Sequence, residues 1–143
     1  MGCRGDQILF QETLKHEPFW FLVACHLVNR AKWIVAERIL GEIRERWPTS
    51  YWLSVADVDE VGEVVRPLGF QTRRAVLLVR LAEEWQRLYV FEHRRVRTAK
   101  EVMRLPGCDE HAADSFAIFV EGRRDVLPMD GALLEYLNRR KVG

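Results

Sequence analysis

The chain has 143 residues, 48% of them hydrophobic and 30% charged, which is the balance of a single globular domain large enough to bury a core. Its 22 Lys and Arg against 21 Asp and Glu leave a formal net charge of +1, so any surface that attracts an anionic polymer must come from local segregation of charge. No stretch is apolar for long enough to span a bilayer, MGCRGDQ lacks the apolar core of a signal peptide, and Asp6 stands where a myristoylation signal wants Ser or Thr, so no membrane partner is expected.

Residues 7–16 read as a short opening helix that ends before Pro18. The run PFWFLVACHLVN at 18–29 is apolar on nearly every face, which predicts a central core helix with Pro at its favourable first position. Asn29 and Arg30 stand at its polar rim. The next helix is predicted over 32–47, with Ile34, Val35, Ile39, Leu40 and Ile43 inward and Glu37, Arg38, Glu42, Arg44 and Glu45 in water. Pro48 stops it.

Thr49 is placed to cap a short helix through Val55. Asp57, with Glu60 three positions on, has the pattern of a capping box opening a helix in which Val58, Val61, Val64 and Val65 repeat at helical spacing. The turn Arg66-Pro67-Leu68-Gly69-Phe70-Gln71 follows. Thr72 then starts a long helix to about Leu88, whose buried stripe is Ala75, Val76, Leu78, Val79, Ala82 and Trp85. Residues 93–97 form a loop of concentrated positive charge, and Thr98 with Glu101 begins the helix after it.

The stretch 102–137 organises the rest. It predicts the end of one helix, a tight turn at Leu105-Pro106-Gly107-Cys108-Asp109, and a second helix from about Glu110. Arg123 and Arg124 precede a short extended segment at 125–128, which delivers Asp130 to the start of a last helix over 129–140. Neither a repeat nor a linker interrupts the chain, and the fold class is all-α, short helices in a compact bundle.

A helix hairpin points backbone N–H groups outward, where the positive end of a helix dipole holds a phosphate. A carboxylate one helix and one strand downstream lies beside whatever that hairpin grips. Asp130 is therefore the leading catalytic candidate, with an ordinary helix N-cap as its plain alternative. Cys3, Cys25 and Cys108 are scattered and odd in number, which argues against disulfides and zinc and for a reducing, intracellular setting. His16, His26, His93 and His111 have no metal-ligand spacing, and His26 is expected to be a satisfied core histidine. Phosphate-binding and dinucleotide glycine motifs are missing.

The hairpin is not alone. Gln11-Glu12-Thr13-Leu14 with Pro18, Leu27-Val28-Asn29-Arg30, Arg66-Pro67-Leu68-Gly69-Phe70, and Asp114-Ser115-Phe116 with Ile118-Phe119 follow in the order of one family's landmarks. Across roughly residues 10 to 138 the chain resembles the helix-hairpin-helix DNA glycosylases, nearest the thymine and uracil mismatch branch typified by the glycosylase domain of the methyl-CpG-binding repair protein. The resemblance implies one compact two-lobed domain over 1–143, acting on double-stranded DNA as a monomer, cytoplasmic in a prokaryote or an infected cell and nuclear in a eukaryote. No iron–sulfur cluster is expected, since the family's four closely spaced cysteines are absent, and no metal beyond an optional monovalent cation at the hairpin.

The same resemblance assigns roles. Asp130 stabilises the sugar cation or activates water. His111 holds the slot where a lysine would form a Schiff base and cut the strand, so histidine implies a monofunctional enzyme. Gly107, Cys108, Asp109 and Glu110, through Ala112, clamp a phosphate by their N–H groups. A second glycine is usual where Asp109 stands; aspartate tolerates left-handed backbone but adds a charge that repels phosphate. Gly131 also departs from the pattern, replacing a larger polar residue. Arg30 plugs the gap left by an extruded nucleotide, Phe70 and Gln71 wedge the opposite strand, and Gln11 and Asn29 face the extruded base. Arg94, Arg95, Arg123 and Arg124 offer phosphate contacts, against the alternative of a solvated face. The implied reaction is excision of thymine or uracil opposite guanine. Two alternatives stay open: action on a modified pyrimidine in viral or host DNA, and a hairpin DNA-binding module without catalysis.

Overall fold

The computed structural model describes residues 13–28 and 32–122. Gln11, Asn29, Arg30, Arg123, Arg124 and Asp130 lie outside the described residues, as do the front of the opening helix, the segment at 125–128 and the last helix. Among the described residues every regular element is helical: α1 (Pro18–Val28), α2 (Trp33–Arg46), α3 (Ser50–Ser54), α4 (Val58–Val65), a 3-10 turn (Arg66–Leu68), α5 (Gln71–Gln86), a π turn (Arg87–Phe91), α6 (Ala99–Val102) and α7 (Glu110–Phe119). The all-α class read from the sequence is the class observed. None of these helices is long and apolar enough to cross a membrane.

An all-round apolar helix must be enclosed, and α1 is: every residue from Phe19 to Val28 is buried. Around it pack α2, α5 and α7. Phe21 meets Phe116 edge-on at 6.4 Å and Phe119 at 5.9 Å. Toward the start of α1, Phe19 lies 5.6 Å from Trp85, which stacks on Tyr89 at 4.4 Å. Each such ring is worth about 1.5–3 kcal/mol on burial, so these aromatics fix how α5 and α7 sit on α1.

In α2 the buried residues are Ala36, Ile39, Leu40 and Ile43. Ile34, expected inward, is 60% exposed; it lies two positions from Ala36, on the far side of the helix. Arg44, expected in water, is half-buried with its guanidinium 5.2 Å from the centre of the Trp20 ring and 2.9 Å from Glu17. A ring face and a carboxylate together outweigh hydration of one cation whose stem also covers apolar surface.

Caps set the short helices. Thr49 Oγ1 accepts the Trp52 N–H at 3.3 Å and Thr98 Oγ1 accepts the Glu101 N–H at 3.3 Å. Asp57 accepts the Asp59 N–H at 2.8 Å, so the cap expected there forms one residue earlier than a capping box would place it. Both α3 and α4 lean on α5, and Gln86 Nε2 donates to Ser50 Oγ at 2.6 Å. Within α5 the buried stripe runs Arg74, Ala75, Leu78, Val79, Leu81, Ala82 and Trp85, with the expected Val76 only half-buried. Its end is not a simple stop: the Glu92 N–H donates to the Arg87 carbonyl at 3.1 Å and closes the π turn. Beyond it the basic loop is fastened by buried Val96, whose N–H donates to Tyr89 Oη at 3.3 Å.

Candidate nucleic-acid interface

The chain leaves α4 through a proline-started turn, and the Gly69 N–H donates to the Arg66 carbonyl at 3.1 Å. Gly69 then takes φ 79 and Phe70 follows at φ 50, ψ 40. Left-handed backbone costs a non-glycine residue about 1–2 kcal/mol. Burial of the ring does not repay it, because Phe70 is 70% exposed. No side chain caps α5, and Gln71, its first residue, is half-buried. An exposed apolar ring on a strained turn is a feature that packing inside the molecule does not explain.

The hairpin begins with the single turn α6 and continues in tight bends to Leu105. Gly107 stands at φ 73, and a Cβ there would lie 3.2 Å from Leu77 Cβ and 3.3 Å from His26 Nδ1. Glycine is thus required both for the dihedral and for the close approach to α1 and α5. Asp109 is extended, at φ −107, rather than left-handed, and it is the N-cap of α7. Its Oδ1 accepts the Ala112 N–H at 3.1 Å. The Cys108 N–H donates to the Leu105 carbonyl at 3.2 Å. Two of the N–H groups expected to clamp a phosphate are therefore engaged inside the molecule, and a carboxylate sits where the helix dipole would hold an anion. Glu110 is exposed and His111 half-buried at the start of α7.

The Phe70 turn and the hairpin share a cleft of about 600 Å³. Phe70 contributes from its turn, Gly107, Cys108 and Asp109 from the hairpin, and His26, Arg73, Arg74 and Leu77 from the two helices between them. His26 is 9% exposed, and burial, with Arg74 beside it, lowers its pKa to about 4 despite a hydrogen bond to the Gly107 backbone. It is a neutral core histidine at pH 7, though less completely satisfied than expected, since no partner meets Nε2 among the described residues. Burial, then Cys25 and Asp109, raise the Cys108 pKa far above the ordinary thiol range, so Cys108 stays a protonated thiol and no nucleophile.

Buried Arg74 joins the two sides. Its Nε donates to the Gly69 carbonyl at 2.9 Å and its Nη1 to the His26 carbonyl at 2.9 Å. The sequence reading missed it, as it missed that His26 supports the hairpin. A signal existed for Arg74, which lies four and seven positions before buried Leu78 and Leu81 on the same helical face. Arg94 and Arg95 are exposed on the loop after the π turn, and Arg94 is 3.7 Å from Glu92. Among the described residues no group of three or more His, Cys, Asp or Glu side chains is arranged to hold a metal ion.

No family model matches the chain. In sequence it is 30% identical over 124 residues to a thymine-DNA glycosylase of Aeropyrum pernix, covering 86% of this chain and 54% of that protein. It is 27% identical over 124 residues to a thymine/uracil-DNA glycosylase of Pyrobaculum aerophilum, covering 86% and 52%. A methyl-CpG-binding domain protein 4-like protein of Arabidopsis thaliana is 25% identical over 128 residues, covering 90% of this chain and 27% of the relative. The chain thus spans about half the length of the first two relatives and about a quarter of the third. In structure it is similar to a thermostable thymine-DNA glycosylase, TM-score 0.64 at 16% identity over 85% of this chain and 60% of the other. It is also similar to endonuclease III in a non-covalent DNA complex, TM-score 0.69 at 18% identity over 83% and 54%.

Proposed function

We propose that this chain, which is similar in sequence to thymine-DNA and thymine/uracil-DNA glycosylases and shares its fold with such enzymes, is a helix-hairpin-helix DNA glycosylase that excises a mismatched pyrimidine, thymine or uracil opposite guanine, from double-stranded DNA. The observation that carries the reading is the strained, 70% exposed Phe70 at the edge of the cleft it shares with the hairpin. A base inside a duplex is out of reach, so the enzyme extrudes its nucleotide. Phe70 with Gln71 presses on the opposite strand and Arg30 fills the vacated space. Gln11 and Asn29 meet the extruded base. Arg94, Arg95, Arg123 and Arg124 hold phosphates.

In the chemical step the C1′–N bond breaks and the base departs with the bonding pair. The Asp130 carboxylate stabilises the positive sugar and takes a proton from the water that adds to C1′. His111 offers no primary amine, so the sugar forms no Schiff base and the strand stays intact. With two hairpin N–H groups engaged internally, the clamp acts through the remainder of 107–111 and grips phosphate less strongly than a hairpin with glycine in place of Asp109.

The test is a panel of labelled duplexes carrying G:T, G:U, hydroxymethyluracil, 8-oxoguanine:A and 3-methyladenine, incubated with the chain and then with alkali. Breaks at G:T or G:U that appear only after alkali are expected. Breakage without alkali would overturn the role given to His111. Silence on every duplex, with retained affinity, would favour a binding module.

A further inference from the structure

We infer that Arg74 is a positioning residue that locks the Phe70 turn to the C-terminal part of α1, so that the proposed wedge is held at a fixed place on the central helix. This goes beyond the proposed excision reaction and rests on it only for the catalytic consequence. Arg74 is 6% exposed, and its Nε and Nη1 each reach a backbone carbonyl at 2.9 Å. One carbonyl belongs to Gly69, directly before the left-handed Phe70. The other belongs to His26, in the last described turn of α1, where the helix dipole favours a cation.

The direction of the coupling follows from what each end carries. Val28 ends α1 two residues before Arg30 in the chain, the residue proposed to fill the gap. Gly69 precedes the wedge ring, and the Arg74 N–H also donates to the Phe70 carbonyl at 2.9 Å. One side chain and its own backbone therefore hold both carbonyls of the strained pair and the end of the central helix. Since α5 has no side-chain cap, Arg74 supplies from inside the helix the restraint that a cap would give from outside. A lysine keeps the charge but cannot serve both carbonyls, because a single ammonium lacks the rigid, diverging donors of a guanidinium.

Arg74→Lys and Arg74→Met separate geometry from charge, and two readouts decide. The first is amide exchange by mass spectrometry, which needs no catalysis. In Arg74→Lys, exchange is expected to rise together at 66–72 and 24–28 while the rest of α5 and α7 stays protected. A rise confined to one segment, or spread over the whole molecule, would overturn the inference. The second is single-turnover excision of uracil from a G:U duplex and from single-stranded DNA. Arg74→Lys is expected to slow duplex excision about tenfold or more, as misplacement of a positioned group does, and single-strand excision less than twofold. Equal slowing on both, or none on either, would mean that Arg74 only stabilises the fold. Wild-type protein inactive on both substrates would fault the excision reading itself, and the exchange result would still decide the coupling.

Discussion

At Gly69 the chain turns left-handed with open space where a Cβ would stand, whereas at Gly107 a turn of nearly the same φ lies against Leu77 and His26. The residues that follow differ as much. Phe70 stays left-handed, leaves α5 without a side-chain cap and holds its ring in solvent. Asp109 relaxes to extended backbone and caps α7 with its own carboxylate. One turn is strained and open, the other packed and internally satisfied. On the proposed reading this moves the task of distorting DNA to the wedge, and leaves the hairpin more a supporting strut than a grip. Local strain at Phe70 persists because Arg74 and the α5 backbone determine the turn from below.

Alanine at the two glycines gives the largest test of that contrast. Gly107→Ala meets both a wrong dihedral and a crowded site and should lose about 3 kcal/mol or more. Gly69→Ala meets only the dihedral, φ 79 with ψ 167, and should lose about 1–3 kcal/mol. Urea unfolding of both variants measures the gap, and equal losses would erase the distinction between a packed turn and an open one.

Acid should act on the packed side of the cleft. His26 has a folded pKa near 4 against an ordinary 6.5, so between those values the unfolded chain binds a proton that the folded one refuses. Stability is full above pH 6.5 and falls as pH drops toward 4, by about 3 kcal/mol if this histidine acts alone. Unfolding midpoints at pH 7, 5.5 and 4.5 would follow the decline; His26→Gln should flatten it, and an unchanged slope in that variant would assign the acid sensitivity elsewhere.

The smallest effects compare the residues that follow the glycines. Asp109→Ala removes a cap worth about 1 kcal/mol, while freeing the Ala112 N–H and removing a carboxylate from a helix N-terminus, which should tighten duplex binding about twofold to fivefold. Phe70→Ala should change stability by no more than about 0.5 kcal/mol, as an exposed site does, yet reduce excision from paired duplexes. Thermal melts with fluorescence anisotropy distinguish the two, and weaker duplex binding by Asp109→Ala would reverse the account of the hairpin.

Much of this architecture is legible in the chain, and the exceptions share a cause. The all-round apolar run identifies α1, the periodic stripe identifies α5, and Thr49, Asp57 and Thr98 mark helix starts where the structure has them. The turn before α5 and the hairpin are visible through Pro67, Gly69, Pro106 and Gly107. What escaped was where charge goes inside. Arg44 and Arg74 look like solvated cations because their partners are a ring face and backbone carbonyls, and carbonyls have no letter in a sequence. Asp109 reads in the sequence as a charge in an anion site, whereas in the structure it is the N-cap of α7. Ile34 faces outward because the buried stripe of α2 is phased on Ala36, Ile39, Leu40 and Ile43, which puts position 34 on the far side.

The π turn at Arg87–Phe91 bears on how this chain tolerates changes in its length. A π turn carries one residue more than an α turn, so a single deletion at Val90 or Phe91 is absorbed by reverting to α geometry, and everything before Arg87 keeps its register. The same deletion within 71–86 would rotate each later side chain by about 100°, carrying Trp85 off α1 and Gln86 off Ser50. A single deletion is therefore expected to cost less at the π turn than within α5, and comparing the melting temperatures of the two deletion variants measures the difference.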